Sequence, residues 1–393
     1  MTLRQKIEAE IRRLGPIPFS RYMEMCLYDP ELGYYSGHAE QFGKTGDFYT
    51  SSDIHAVFGR LLARQFEEMW RLLGAPAQIE ILELGPGRGL FAQDVLDWSK
   101  KKFPEFFAAS HYSLFECSPA LGRRLREVLD GFIVNRKASL VFPDETENRE
   151  GTTSVVPERP QLTRALAPEV PIIIFSNEFF DALPVEVLST EGSLRVDAHN
   201  GRFVETWAAP SSEELEFLDR YSIHPQPGDR LDVPLLAQCY ASQVAAMIQT
   251  GFMLAIDYGY TREQQLAGTH HGTVTTYSRH ASGKSPYELP GEQDITTHVN
   301  FTALAAAVRA QGLTVFPLRT QAQFLLGIGE ANQFADAFEE CRLPQERAKV
   351  ALQLKHLVAP AGMGESFQVL VAGKGVGRTA KLSGLEFTNT LTL

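Results

Sequence analysis

The chain has 393 residues, 44% hydrophobic and 22% charged, a composition typical of a globular protein. Its net charge of −11, from 37 basic and 48 acidic residues, disfavours nonspecific nucleic-acid binding, which depends on basic patches. No apolar run approaches the ~20 residues that a membrane helix needs. We therefore expect neither a nucleic acid nor a membrane as a partner, and the oligomeric state stays open.

The first predicted element is an amphipathic helix over 3–14, whose apolar side chains fall on one face. Its acidic residues are unlike a mitochondrial transit peptide, and it lacks the apolar core of a secretory signal. The four cysteines are far apart and form no Cys-x-x-Cys pair, so neither a disulfide scaffold nor a zinc site is indicated. Both observations favour a cytoplasmic protein.

Four regions follow from the pattern of elements. We expect a helical and loop cap at 1–75, the cofactor-binding half of an α/β core at 76–190, an insertion at 191–250, and the rest of the core with added helices at 251–393. Continuous apolar strands indicate a parallel sheet buried on both faces. The predicted strands are 79–84, 112–116, 139–142, 171–176, 185–188, 194–198, 202–207, 252–257 and 366–372. The predicted later helices are 298–311, 330–340 and 344–357.

A glycine-rich turn follows the first strand of this core. Its residues are Glu83, Gly85, Pro86, Gly87 and Gly89. The spacing Gly-x-Gly-x-Gly differs from the dinucleotide fingerprint, and the Lys-Ser/Thr of a phosphate-binding loop is absent. An acid two residues before the first glycine favours S-adenosylmethionine over either ligand.

The chemistry of that cofactor explains the preference. Its methionine end is a zwitterion without phosphate. Gly85 and Gly87 would allow a close approach of the backbone. The amides at the start of the helix from Leu90 would face the carboxylate, and Glu83 would hold the ammonium directly or through water. The alternative is a tight strand-to-helix turn that binds no ligand.

A second acid, Glu116, ends the next predicted strand, and Ser118 and Pro119 then begin a helix. In nucleotide-binding α/β folds an acid at this place takes the ribose hydroxyls. Glu116 is therefore the candidate for the ribose of the cofactor. The alternative is a solvated carboxylate at the end of a strand.

The segment after the fourth core strand lies where a transferred methyl group would point. It contains Asn177, Glu178, Phe179, Phe180 and Asp181. The carboxylates can bind a cationic or polar N–H group, and the rings can flank a flat guanidinium. We predict a nitrogen acceptor here. The alternative is a loop whose acids cap a helix and whose phenylalanines are core.

Two histidines give further predictions. We interpret His298 as structural, and His280 as a further catalytic or substrate-contact candidate. No spacing of histidines suggests a metal site, and no Gly-x-Ser-x-Gly nucleophile motif is present. By composition, the glycine-rich stretch 43–52 is a loop before a helix.

Taken together, these segments resemble the MidA / NDUFAF7 family of S-adenosylmethionine-dependent protein arginine methyltransferases, over nearly the whole chain from Ile17 to about Leu370. Single pieces are weak, but the ordered set is specific. Its parts are 17–23 (IPFSRYM), 28–35 (YDPELGYY), 46–51 (GDFYTS), 83–89 (ELGPGRG), 177–184 (NEFFDALP), 256–259 (IDYG), 290–296 (PGEQDIT) and 298–299 (HV).

This resemblance implies an α/β, Rossmann-like, seven-stranded class I methyltransferase core with an N-terminal cap and insertions. It implies that Gly46, Asp47 and Phe48 close over the cofactor. It also implies a protein substrate, such as the arginine of a respiratory complex I subunit that mitochondrial members dimethylate. Without a transit peptide, the chain resembles a bacterial member. It departs from the family at 50–53 and at Ser278, which leaves the substrate open.

The expected reaction is direct transfer of a methyl group to an arginine nitrogen, with S-adenosylhomocysteine as product and no metal. Catalysis would consist mostly of positioning the nitrogen, with Glu178 or Asp181 orienting the guanidinium. Two alternatives remain. One is a methyltransferase for a small molecule or another nitrogen, and the other is a non-catalytic assembly factor that binds the cofactor.

Overall fold

The computed structural model describes residues 1–37, 56–141, 170–278, 281–282, 285–360, 362–377 and 381–387. Within these ranges the chain forms a nine-stranded mixed sheet, a five-stranded antiparallel sheet and a three-stranded sheet. None of the helices in these ranges has the length and apolar character needed to cross a bilayer.

The strands of the described residues are, in chain order, β1 (Ile17–Pro18), β2 (Ile79–Leu84), β3 (Ser110–Phe115), β4 (Ala138–Val141), β5 (Ile172–Asn177), β6 (Glu186–Ser189), β7 (Gly192–His199), β8 (Arg202–Ala208), β9 (Leu231–Val233), β10 (Gly251–Tyr260), β11 (Thr275–Ser278), β12 (Ala281–Ser282), β13 (Asp294–Thr296), β14 (Val299–Asn300), β15 (Thr314–Val315), β16 (Arg319–Thr320) and β17 (Phe367–Lys374).

The α-helices are α1 (Leu3–Leu14), α2 (Phe19–Tyr28), α3 (Tyr34–Gly37), α4 (Ala56–Leu72), α5 (Leu90–Lys102), α6 (Pro104–Ala109), α7 (Pro119–Val128), α8 (Asp130–Val134), α9 (Ser212–Tyr221), α10 (Leu235–Ala246), α11 (Arg262–Leu266), α12 (Phe301–Ala310), α13 (Gln321–Glu330), α14 (Ala335–Phe338) and α15 (Pro344–Val358). A 3₁₀ turn, Ser383–Leu385, follows near the end of the described chain.

The large sheet has a main path of seven strands in the order β15-β17-β10-β5-β2-β3-β4, with β14 beside β10 and β16 beside β17. Strands β4, β3, β2, β5 and β10 are parallel, and β17 is antiparallel to β10. The predicted seven-stranded α/β core is thereby confirmed. The carboxyl ends of the parallel strands share one edge, where ligands bind in open α/β sheets.

Alternation along the parallel strands explains why both faces of this sheet are covered. Ile81 and Phe175 join a core with α4 and α5, whereas Leu82 and Ile174 join a second core with α10 and α12. A strand that is apolar at every position cannot leave either face in water without exposing apolar surface. The predicted strands at 79–84, 112–116, 139–142 and 171–176 agree with β2 to β5 within two residues.

The N-terminal helices and the smaller sheet share a third core. Ile7 of α1, Met23 of α2 and Val196 of β7 are buried together there. A further contact links this region to the edge of the large sheet, because the Tyr28 hydroxyl donates to the Ala182 carbonyl at 3.0 Å. The predicted cap at 1–75 and insertion at 191–250 therefore pack on one another, although the proposed division into four regions stays a prediction.

Three helices differ from the sequence-based expectation. The helix predicted at 330–340 is wrong, since α13 ends at Glu330 and the chain reverses through left-handed Gln333 and Phe334 before the short α14. Helices α9 and α10 lie in the insertion expected at 191–250, for which strands at 194–198 and 202–207 but no helix were predicted. The position of α13 depends on tertiary packing. A Cβ at Gly327 would lie 2.4 Å from the Ser383 carbonyl oxygen, so the close packing of these two segments needs the glycine.

Candidate active site

The glycine turn between β2 and α5 has a left-handed backbone at three positions: φ is +63° at Gly85, +53° at Gly87 and +76° at Gly89. A Cβ at Gly89 would lie 2.6 Å from the Leu125 side chain, so this glycine permits close packing of α7. A Cβ at Gly87 would meet no heavy atom of the described residues within 4 Å. Gly87 therefore borders open space, where a ligand can approach the backbone.

Glu83 lies at the carboxyl end of β2 with only 4% of its surface exposed. Its carboxylate accepts a hydrogen bond from the Tyr112 hydroxyl at 2.9 Å. Burial raises the pKa of Glu83 to about 8, because the charged form loses its hydration. A cation bound beside it would favour ionisation again.

Glu116 is the corresponding acid at the end of β3. Its carboxylate accepts the Ser118 N–H at 2.8 Å, and burial raises its pKa to about 7. The Ser118 hydroxyl donates to the Tyr35 carbonyl at 2.9 Å. The N-terminal cap thus contacts the position predicted for the ribose.

A third acid, Asp257 on β10, holds the predicted acceptor segment in place. One of its oxygens accepts the backbone N–H groups of Phe179, Phe180 and Asp181 at 3.2, 3.0 and 3.4 Å. The other oxygen accepts the Tyr258 N–H at 3.0 Å. Burial, together with the nearby acids, raises the pKa of Asp257 well above its ordinary value.

The segment held by Asp257 begins with a strained residue. Glu178 has a left-handed backbone (φ +50°), which a non-glycine residue rarely adopts, and its N–H donates to the Ile256 carbonyl at 3.0 Å. The Asn177 amide donates to the Glu178 carboxylate at 3.0 Å. The buried Asn177 Oδ1 has no hydrogen-bond partner in the described parts of the chain. These two side chains are therefore oriented together at the end of β5.

Asp181 takes a different environment from Glu178. It is 5% exposed, and its carboxylate accepts the Tyr258 hydroxyl at 2.7 Å. Burial raises its pKa to about 6. Tyr258 lines a cleft of about 420 Å³ together with Glu178, while Asp181 is absent from its wall. The structure thus separates the two predicted acids, with Glu178 at the cleft and Asp181 behind it.

The cleft opens beyond the carboxyl ends of β5 and β10 and is walled by aromatic, histidine and acidic side chains. Besides Glu178, its described lining residues are Tyr258, Gly259, Gln264, His270, Tyr277, His298, His356, Met363, Glu365, Ser366, Phe367 and Gln368. Concave sites with apolar walls and a few convergent polar groups are typical binding sites. This cleft is the candidate site for the methyl acceptor.

The two phenylalanines of the acceptor segment do not flank the cleft as a pair. Phe180 is 1% exposed in the core, which corrects the expectation that its ring could clamp a guanidinium. Phe179 lies under the glycine turn, since a Cβ at Gly85 would be 2.8 Å from its ring. Gly85 is therefore needed for close packing between the two halves of the site.

Other sequence-based candidates have mixed outcomes. Gly46, Asp47, Phe48 and His280 lie outside the described residues. His298 lines the cleft and contacts His270, which was not singled out from the sequence. Asp257 was likewise noted only as a strand end, and an acid there carries no sign of whether it faces ligand or backbone. Within the described ranges, no cluster of three or more His, Cys, Asp or Glu is arranged to hold a metal ion.

The turn region fits a cofactor with a zwitterionic end and a ribose. Gly87 provides the open approach, and the α5 N-terminus that follows Gly89 provides amides for a carboxylate. Glu83 offers an anionic partner for an ammonium, and Glu116 offers acceptors for hydroxyl groups. The assignment of these roles stays a prediction that the geometry permits.

Comparisons with known proteins are consistent with this geometry. A family model that describes S-adenosyl-L-methionine-dependent methyltransferases matches residues 61–318. The mitochondrial protein arginine methyltransferase NDUFAF7 of Danio rerio is 29% identical, covering 97% of this chain and 88% of its own length. The Drosophila melanogaster homolog is 27% identical, covering 95% and 85%.

A solved structure is also similar over almost the full length. It is a COG1565 superfamily member from Burkholderia thailandensis, bound to S-adenosyl-homocysteine. Its TM-score to this chain is 0.78 at 26% sequence identity, with 98% of this chain and 94% of that one covered. The predicted cofactor class is thereby confirmed.

Proposed function

This chain belongs to the family of S-adenosyl-L-methionine-dependent methyltransferases, and we propose that it methylates arginine nitrogens of a protein substrate. The cofactor is S-adenosylmethionine, which supplies a methyl group activated on a sulfonium. We assign Glu83, Gly85, Pro86, Gly87, Gly89 and Glu116 to its binding, and we keep Gly46, Asp47 and Phe48 as further candidates.

The observation that carries the proposal is the placement of Glu178. Glu178 lies in the wall of a cleft lined by aromatic residues, at the edge of the sheet that also carries the glycine turn. A guanidinium is flat, stays protonated and forms strong paired hydrogen bonds with a carboxylate. Glu178 would orient this cation and stabilise charge that develops on it. The similar mitochondrial proteins of Drosophila melanogaster and Danio rerio are protein arginine methyltransferases, which supports the same acceptor.

Asn177 and Asp181 have supporting parts in this proposal. Asn177 orients Glu178 through its amide, and its Oδ1 has no partner among the residues that the structure describes. Asp181 fixes the hydroxyl of Tyr258 at the cleft wall. His280 remains a substrate-contact candidate by position in the sequence. By family resemblance, we extend the proposal to an arginine of a respiratory complex I subunit and to a bacterial, cytoplasmic enzyme.

The test uses purified enzyme and cofactor with a tritiated methyl group. The acceptor is an extract of its own host cells from which the gene for this chain has been deleted, so that target sites are unmethylated. We expect label in a protein band and, after acid hydrolysis, in methylarginine. Label only in the small-molecule fraction, or in another methylated amino acid, would favour the alternative acceptor.

A non-catalytic assembly factor would give a third outcome. It would bind S-adenosylmethionine in titration calorimetry but label nothing in the extract. Pull-down of a respiratory subunit without methyl transfer would then favour that function. Separating binding from transfer in this way keeps the two alternatives distinct.

A further inference from the structure

Two histidines on the wall of the acceptor cleft form a direct ring-to-ring hydrogen bond. The Nδ1 atoms of His270 and His298 are 3.1 Å apart. His270 stacks on Tyr260 with ring centroids 4.9 Å apart, and His298 meets the edge of Tyr258 at 5.2 Å. Both histidines line the same cleft as Glu178. Two aromatic contacts and the shared hydrogen bond thus fix the pair beside the proposed acceptor site.

The backbone around the pair is also constrained. His270 has a left-handed φ of +60°, and the His298 N–H donates to the Thr273 hydroxyl at 2.8 Å. Thr273 in turn donates through its N–H, at 2.8 Å, and through its hydroxyl to the buried carboxylate of Asp232. A solvated surface pair would need no such support. The arrangement keeps two imidazoles in contact across 28 residues of sequence.

The contact between two Nδ1 atoms restricts the protons that the pair can hold. One Nδ1 must carry a proton and donate, and the other must accept. The donating ring then has its lone pair on Nε2, and neither Nε2 has a hydrogen-bond partner among the described residues. One added proton gives an imidazolium that still donates to its neighbour. A second would place two N–H groups face to face, so the pair accepts one proton but resists two.

The proposed reaction needs such a proton acceptor. A guanidinium that gained a methyl group without losing a proton would carry two positive charges. Glu178 is poorly suited to take the proton, because protonation would remove the charge that holds the cation. A neutral base in the same cleft would leave the Glu178 carboxylate ionised through the reaction.

We propose that the His270–His298 pair accepts the proton that the substrate nitrogen loses on methylation and passes it to solvent. The inference rests on the proposed transfer to nitrogen. The nitrogen electron pair forms the N–CH₃ bond, and the S–CH₃ bond breaks with its electrons left on sulfur. The N–H proton moves to the unprotonated Nε2 of the pair, directly or through water, and then to solvent.

The surroundings favour a neutral resting state of the pair. Burial, and then the neighbouring His270, lowers the pKa of His298 to about 4, and burial lowers the pKa of His270. Tyr258 and Tyr260 pack on the rings, and burial raises the pKa of both, so neither contributes charge at neutral pH. Around them, Asp181 lies behind Tyr258, Asp232 lies behind Thr273, and Glu178, Tyr277, Glu365 and His356 line the cleft.

The first experiment measures single-turnover methyl transfer to the hypomethylated extract described above. We expect His298→Asn and His270→Asn to lower the rate about 100-fold, within the usual range for a lost acid–base group, with unchanged cofactor affinity. The control His199→Asn changes an exposed histidine on β7 and should keep the wild-type rate.

Chemical rescue separates proton transfer from structural support. Added imidazole should raise the transfer rate of His298→Ala at least tenfold. As the pH is changed, this increase should follow the fraction of free imidazole that is neutral. A variant that folds like wild type but is not rescued, or one that transfers at the wild-type rate, would overturn the proposal.

The second experiment needs no acceptor and therefore separates this inference from the proposed function. NMR of protein labelled with ¹³C at histidine Cε1 should show one shared protonation of both rings well below pH 6, and His270→Asn should raise the pKa of His298. Two independent titrations near the ordinary histidine value would overturn the pair. If the wild-type enzyme labels nothing in the extract, the proposed function fails. The titration then still tests, by itself, whether the two histidines share one proton.

Discussion

The cofactor half and the acceptor half of the site are built in different ways. The glycine turn is local: Glu83 and the three left-handed glycines lie within seven consecutive residues, between one strand and one helix. The acceptor cleft combines residues from the end of β5, β10, the loop at His270, His298, α15 and the start of β17. The glycine turn with Glu83 is thus encoded in one segment, to which the next strand adds Glu116, whereas the acceptor half depends on the whole sheet.

This difference has consequences for mutations. A change in the glycine turn should affect cofactor affinity with little effect elsewhere. A change in the acceptor half should affect turnover. It should often lower stability as well, because buried hydrogen bonds, such as those of Asp257, hold this half of the site together. The following experiments test that separation, from the largest expected effect to the smallest.

Gly87→Val should abolish measurable cofactor binding. Valine would fill the open space over the turn and would strain a backbone with φ of +53° by about 1–3 kcal/mol. Gly201→Val is the matched control, because its φ is +71° and its Cβ would also meet no described atom within 4 Å. Calorimetry with S-adenosylhomocysteine should show binding only for the control. Similar cofactor affinity in both variants would contradict the proposal that the cofactor lies against the backbone at Gly87.

Glu178→Gln should lower single-turnover transfer about 10²–10³-fold while cofactor affinity stays within twofold. Glutamine keeps the shape of the side chain but loses the charge that orients a cation. Glu191→Gln, an exposed change in the turn after β6, serves as control. Undiminished transfer in Glu178→Gln would remove Glu178 from the proposed mechanism.

Asp257→Asn should lower the free energy of unfolding by about 1–3 kcal/mol and turnover about tenfold. Its carboxylate accepts backbone N–H groups on both oxygens, and an amide must turn its NH₂ toward one set. Asp336→Asn is a control at a similarly buried aspartate, since Asp336 accepts hydrogen bonds from Arg64 and Trp98 and is not among the residues that line the cleft. Denaturant unfolding should show loss in both variants, and turnover should fall only in the first.

The smallest expected effect is the release of a proton when the cofactor binds. Burial raises the pKa of Glu83 to about 8 in the unliganded protein, so most Glu83 is protonated at pH 7. An ammonium beside it favours the ionised form, so binding should release up to one proton and the affinity should rise as pH rises from about 6 to 8. Calorimetry with S-adenosylhomocysteine in buffers of different ionisation enthalpy measures this release.

Glu83→Gln should remove most of that proton release at pH 7.5. The same shift has a consequence for stability. A carboxyl whose folded pKa is raised opposes folding when it ionises, so the unliganded wild type should lose stability as pH rises from about 5 to 8. Melting temperatures of the Gln variant should depend less on pH over this range. Equal proton release in both proteins would show that another group responds to the ligand.

Much of the fold was predictable because periodicity and turn chemistry act locally. The apolar run at Ile79–Leu84 and the glycines after it predict a buried parallel strand and its turn. Helix α13 was not predictable in this way, because its glycines are favourable only where Ser383 and Phe334 pack on them. Local preference is a weak guide when close packing is decisive.

The residues of the site also divide into those that local sequence patterns predict and those that depend on tertiary packing. The acids Glu83, Glu116 and Glu178 were recognisable as candidates from their positions at the ends of strands. Asp181 lies four residues beyond the end of β5 and Asp257 lies within β10; the first accepts the Tyr258 hydroxyl, and the second binds backbone amides. The direction in which a side chain points near the end of a strand depends on the neighbouring segments of the fold, which the sequence pattern does not specify.

The sequence by itself determined the class of cofactor and predicted the strand edge where it would bind, because the glycine turn and Glu83 lie within one βα unit and Glu116 follows the strand of the next one. Only the tertiary structure decided which acid reaches the cleft, and only it brought His270 against His298. Those contacts join residues that are far apart in the chain. They depend on the order of strands in the sheet and on the packing behind it.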